Sequence, residues 1–75
     1  MKAFQAYASG ARVTEPNARA AARKFFETYP TRRKCDITEG ETDGHCFVVR
    51  ISLLAGNKLQ SWRDITKKQV ETLPE

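Results

Sequence analysis

Three residues invite a reading as reactive chemistry: Cys35, His45 and Cys46. A structural zinc site needs four converging nitrogen and sulfur ligands at typical spacings, and a catalytic one needs three and an open position. Neither pattern occurs here. His45 and Cys46 are neighbours, and neighbours on a strand point to opposite faces. The expectation is therefore no metal and no cofactor, with Cys35 in the core, Cys46 an edge thiol and His45 a polar residue flanking a turn. Glu39, Glu41 and Asp43 crowd one polar stretch, which reads as a solvated loop rather than an acid–base pair. No phosphate-cradling loop, nucleophile elbow or dinucleotide fingerprint is present. A chain of 75 residues also has little depth for a cleft that excludes water. A non-enzymatic protein is predicted.

The remaining chemistry is charge. The net charge is +4, unevenly distributed. Residues 1–34 carry eight Lys/Arg against two Asp/Glu, residues 35–48 carry four acids and no Lys or Arg, and residues 49–75 carry five bases against three acids. A polarised molecule of this kind steers an anionic partner toward one side. Which cations are free to do so depends on the elements that carry them.

Residues 2–9 alternate as a strand, with Phe4, Ala6 and Ala8 on one parity. Ser9-Gly10-Ala11-Arg12 reads as a break. Residues 15–29 read as a helix, with Thr14 as N-cap and Pro16 in the first turn. Ala18, Ala21, Ala22, Phe25 and Tyr29 form its apolar stripe, Arg19, Arg23 and Glu27 the opposite ridge, and Pro30 ends it. Residues 33–39 read as a strand, residues 40–44 as a polar turn with glycine at both ends, residues 45–54 as the strongest strand and residues 58–64 as its partner across a tight Gly56-Asn57 turn. Thr66 followed by Gln69 is a capping-box pattern that opens a short helix. The order is β-α-β-β-β-α: one α+β domain over residues 1–75, an antiparallel meander with both helices on one face.

Centring the first hairpin on Thr42 sets Ile37 against Phe47, Cys35 against Val49 and Lys34 against Arg50. The second turn sets Ile51 against Trp62 and Arg50 against Arg63. Phe47, Val49, Ile51 and Trp62 would then lie under the helices. Lys34, Arg50 and Arg63 would form one row on the open face, an arrangement that like-charge repulsion disfavours unless an anion answers it. A one-residue slip would abolish the row. Lys67 and Lys68 stand in the first turn of the last helix, where the dipole favours anions, so they too are candidates to hold phosphate. Arg32 and Arg33 follow a helix C-terminus, where cations are favoured for structural reasons alone.

From the first helix onward the α-β-β-β-α order resembles the double-stranded-RNA-binding domain. That resemblance implies two helices on one face of a three-stranded sheet and duplex RNA held by basic residues at the start of the second helix, where Lys67 and Lys68 stand. The chain departs from the family pattern in its extra first strand, its short last helix and a first helix without polar groove-reading residues.

The function expected is a small basic binding module that takes nucleic acid through Lys34, Arg50, Arg63, Lys67 and Lys68. The alternative is a protein-interaction module, a small regulator of bacterial or phage type, anchored on Tyr7, Val48 or Leu54 to Leu59. No signal peptide or membrane span is readable, so a cytoplasmic location is expected. At this length folding buries only about 60% of the surface of the unfolded chain, so a monomer is marginal and a homodimer would help.

Overall fold

A computed structural model describes residues 2–43, 46–48 and 60–75. The chain begins with a hairpin. Strand β1 (Lys2–Ala8) turns at Ser9-Gly10 into β2 (Ala11–Glu15), with Ala8 opposite Ala11 and Phe4 opposite Glu15. Gly10 has φ +74°, the left-handed region that glycine enters without steric cost. Helix α1 (Ala18–Thr28) follows, then β3 (Lys34–Asp43), β4 (Cys46–Val48), β5 (Ser61–Thr66) and a 3₁₀ helix (Lys67–Thr72). The sheet is antiparallel in the order β2-β1-β3-β4. The outer edge of β3 is shared, because β4 pairs with residues 41–43 while β5 pairs with residues 34–38.

The helix packs on one face. The residues of β1 that alternate toward it, Phe4 and Ala6, are buried with Ala11, Cys35, Ile37 and Ile65 against Ala18, Ala21, Ala22, Phe25 and Phe26. Phe25 and Ile37 have no exposed surface. Alanines on the helix allow the close approach that puts the Phe25 ring at the centre, in contact with the rings of Phe26 and Tyr29 at 5.4 and 5.3 Å. Trp62 is half-buried at the margin, its ring centroid 6.0 Å from that of Phe4. Val70 and Leu73 close the far side of the core.

The alanine stripe and Phe25 are placed as the sequence predicts, and Tyr29 packs half-buried against the core. Other expectations are corrected. The break after residue 9 is only the hairpin turn, and residues 11–15 form β2. Thr14 belongs to that strand. The N-cap is Asn17, whose Oδ1 accepts from the Ala20 N–H at 2.8 Å. Residues 40–43 are strand rather than turn, so Thr42 stands opposite Phe47 and Asp43 opposite Cys46. Gly40 is buried directly across from Ala3, a site where a strand glycine marks close packing rather than a bend. Cys35 faces Ile65 and Ile37 faces Trp62. Val49, Arg50, Ile51 and the Gly56-Asn57 turn lie outside the described residues. The last helix is a single 3₁₀ segment. The double-stranded-RNA-binding pattern is not met, since a hairpin precedes α1 and no second α-helix follows the described strands.

Candidate nucleic-acid interface

Some cations are consumed by the fold. Along the exposed side of α1, Arg23 makes a two-pronged contact with Glu71, Nη2 lying 2.6 Å from Oε2 and Nε 3.0 Å from Oε1. Through that hydrogen bond and the paired charge the Glu71 carboxyl is held below its ordinary range and the Arg23 guanidinium above its own. Arg19 donates from Nε to the Leu73 carbonyl at 2.9 Å, and its Nη1 meets Glu75 at 2.6 Å. Both arginines thus bind the C-terminal segment to α1. Lys2 pairs with Glu39 at 2.8 Å, and the Glu39 carboxyl is held down first by the Gln60 N–H and then by Lys2.

Of the other described cations, Arg32, Arg33, Lys34, Arg63, Lys67 and Lys68 lie toward the opposite end of the sheet, while Lys24 stands on α1. Lys34 opens β3 opposite Thr66, which ends β5. Counting on in the same register brings Arg33 to the level of Lys67 and Arg32 to the level of Lys68. A shallow cleft open to solvent lies there, of about 510 Å³, lined by Pro30, Thr31, Arg32, Arg33, Thr66, Lys67 and Lys68. That size suits a small ligand or a stretch of polymer. No acid stands among the lining residues, so the field inside has one sign. Lys67 donates from Nζ to the Pro30 carbonyl at 2.9 Å, fixing its ammonium just past the end of α1. Arg32 reaches the β1–β2 turn, its Nη2 3.9 Å from where a Cβ on Gly10 would sit. Arg32, Arg33 and Lys68 make no ion pair among the described residues.

Next to the cleft, β5 carries a bulge. Between Cys35–Ile65 and Ile37–Trp62 the register shifts, so Arg63 and Asp64 together oppose Asp36. Asp64 sits at φ +55°, a conformation that aspartate tolerates better than most residues. Its N–H donates to Asp36 Oδ1 at 2.9 Å, and its carboxylate lies 3.2 Å from Lys34 Nζ. Lys34 is therefore partly neutralised, whereas Arg63 is exposed and has no ion pair among the described residues.

Of the predicted binding residues, Lys34, Arg63, Lys67 and Lys68 thus lie at one end of the molecule, and Arg50 lies outside the described residues. They do not form the row expected across three strands, because Lys34 has Thr66 rather than Arg50 opposite it. Arg32 and Arg33 were assigned to the fold by their position after a helix, yet they line the cleft. The signal that finds them is register: pairing the first strand after α1 with the last strand, not with the next one, carries Arg32 and Arg33 onto Lys68 and Lys67. The 3₁₀ segment that carries Lys67 and Lys68 spans six residues, and the N–H of Thr66 ahead of it donates to Gln69 Oε1 at 3.0 Å.

Cys35 is buried, and desolvation followed by the Asp36 charge pushes its thiol up to about 11. Among the described residues no three His, Cys, Asp or Glu side chains converge as a metal site, and His45 lies outside them. Among the described residues, too, no helix is long and apolar enough to cross a membrane. Comparison with protein-family models, with characterised proteins and with solved structures finds no match. The class the chain defines is a small α+β domain, an antiparallel sheet in the order β2-β1-β3-β4 with one helix packed on it.

Proposed function

We propose that this domain binds nucleic acid, holding the phosphate backbone at the end where Arg32, Arg33, Lys67 and Lys68 line one cleft and Lys34 and Arg63 flank it. The observation that carries the reading is the absence of any acid in that lining. The same chain answers Arg19, Arg23 and Lys2 with a carboxylate each, so acids are at hand where the fold needs them. Arginine forks and lysine ammoniums are the groups that recognise phosphate oxygens, and contacts to a backbone alone give binding with little sequence preference.

The test is binding of labelled oligonucleotides across a salt series. Four phosphate contacts should give a slope of log affinity on log salt of roughly −3 to −4. Arg33→Glu with Lys68→Glu should abolish binding at ~50 mM salt and leave the circular-dichroism spectrum unchanged. A wild-type protein that binds no nucleic acid at that salt would overturn the reading.

One observation favours a protein partner instead. Strand β2 has no neighbour on its outer side among the described residues, and an open edge can accept a strand from another chain. Such binding would depend only weakly on salt and would be indifferent to Arg33 and Lys68, so the same titration separates the two. Val48, Leu54 and Leu59, the other anchors considered for such a partner, have no side-chain placement among the described residues.

A further inference from the structure

The helix covers one face of the sheet, and among the described residues no element packs on the other. On β1 the residues Phe4 and Ala6 are buried beneath α1, and the alternate residue Tyr7 turns to the open face. It is 37% exposed, the one large apolar side chain standing exposed among the described residues. Its strand is an inner one, flanked by β2 and β3, so the ring stands within the face rather than at its rim.

The neighbours of Tyr7 follow from register, because residues directly opposite on antiparallel strands share a face. Arg12 stands opposite it on β2 and Asp36 opposite it on β3, with the Arg63–Asp64 bulge across from Asp36. Strands lie about 4.8 Å apart, so Arg12 and Arg63 bracket Tyr7 over roughly 14 Å. Two residues along, Thr14, Gln5, Thr38 and Ser61 form a second row over four strands. Their contacts are long: Gln5 Nε2 donates to Thr14 Oγ1 at 3.5 Å, and Thr38 Oγ1 donates to the backbone carbonyl of its neighbour Glu39 at 3.5 Å. On the other side of the Tyr7 row stand Lys34 and Thr66, which lead into the basic cleft.

This face therefore offers one aromatic ring with Arg12 on one side and Asp36 on the other, Arg63 lying beyond Asp36 beside Asp64, and a row of hydroxyl and amide groups two residues along. A protein anchor of the usual kind would be a ring set in an apolar surround, and this surround is polar. A ring in a polar surround of Arg12, Asp36 and hydroxyl and amide groups fits a nucleobase, which has a π-face to stack and an edge that both donates and accepts hydrogen bonds. Bases within a duplex are already stacked on one another and cannot present that face. We infer that the open face takes an unpaired base, stacked on Tyr7, from a single-stranded nucleic acid whose backbone continues toward Lys34 and the basic cleft. The inference rests on the nucleic-acid reading above and adds to it the strandedness of the ligand and the residue that reads it.

The test measures dissociation constants for a short labelled oligothymidylate and for a duplex of the same length, at ~50 mM salt where backbone contacts are strong. The wild type should prefer the single strand. Tyr7→Ala should weaken single-strand binding roughly 5- to 150-fold, the range that loss of one base–aromatic stack covers, and leave duplex binding unchanged. Tyr7→Phe should bind as the wild type does, because the ring rather than the hydroxyl does the stacking. Tyr7→Leu, which keeps apolar bulk and guards against a folding defect, should behave like Tyr7→Ala. If Tyr7→Ala or Tyr7→Leu binds the strand as tightly as the wild type, or if the wild type prefers the duplex, this inference is overturned and the basic cleft remains a backbone site. If the wild type binds neither ligand, the nucleic-acid reading falls and this inference falls with it.

Discussion

Arg19 and Arg23 on the side of α1, and Arg32, Arg33 and Lys68 beyond its end, are cations of the same kind in opposite circumstances. The first two are each met by a carboxylate from the last turn of chain, and Arg19 also satisfies the Leu73 carbonyl. The others face one another across a cleft without an acid in its lining. A fold can use a surface arginine as a clasp, and in α1 it does. Leaving three or more cations together unanswered adds repulsion that folding does not reward. The difference identifies the part of the surface to be explained by a partner.

The largest effect expected bears on the frame that holds both groups apart. Phe25 has no exposed surface and is the centre of the core. Phe25→Ala should cost about 3–5 kcal/mol, enough to unfold much of the population of a domain this small. Thermal or urea denaturation would measure it. A cost below about 1 kcal/mol would mean that α1 does not set the geometry of either end.

Next in size is the clasp. Arg19→Ala removes a charged donor from a part-buried carbonyl as well as an exposed ion pair, and should cost about 1–2 kcal/mol. Arg23→Ala breaks only exposed, solvent-screened contacts and should cost less than Arg19→Ala. The Arg23 bridge also has a pH signature. Because the folded-state Glu71 carboxyl is depressed by Arg23, its contribution is complete above the ordinary carboxylate range and is lost as pH falls through the lowered folded value. Arg23→Ala should lower stability slightly at neutral pH, leave it unchanged at acid pH where the bridge is already lost, and so flatten the acid limb of stability against pH.

How much of this was legible in the sequence follows from what each signal encodes. The helix stripe was readable because Ala18, Ala21, Ala22 and Phe25 repeat at helical spacing and all four are buried. Cys35 and Ile37 were readable as inward residues because strand parity is local. Register was not. The segment Gly40–Asp43 looks like a turn by composition, yet it continues β3, with Gly40 buried against Ala3. That choice moved every cross-strand pair and put Lys34 against the wrong partner. Strand β2 was missed because it is only five residues long and follows directly on the Ser9-Gly10 turn, although Ala11 and Val13 do alternate with Arg12 and Thr14. The site was legible as a list of cations, but not which of them the C-terminal residues would claim, since Glu71 and Glu75 lie some fifty positions from their partners. Tyr7 was legible only as an exposed aromatic; its setting between Arg12 and Asp36 needs the hairpin at Gly10.

The smallest effect is the sharpest discriminator. If Arg33 and Lys68 are not part of the structural network, Arg33→Ala and Lys68→Ala should each change stability by less than about 0.5 kcal/mol, as surface substitutions away from specific contacts do. The sign should lean toward stabilisation, because each removes a like charge from the neighbourhood of Arg32 and Lys67, and the gain should shrink with added salt as screening replaces the deletion. Arg19→Ala run beside them should fall on the destabilising side, and its loss should survive salt better because the Leu73 carbonyl is part-buried. The comparison breaks if Arg33→Ala or Lys68→Ala costs as much as Arg19→Ala. That result would mean the cleft cations hold the α1–β3 connection to the 3₁₀ helix, and the acid-free lining would then be a structural feature with no anion to explain.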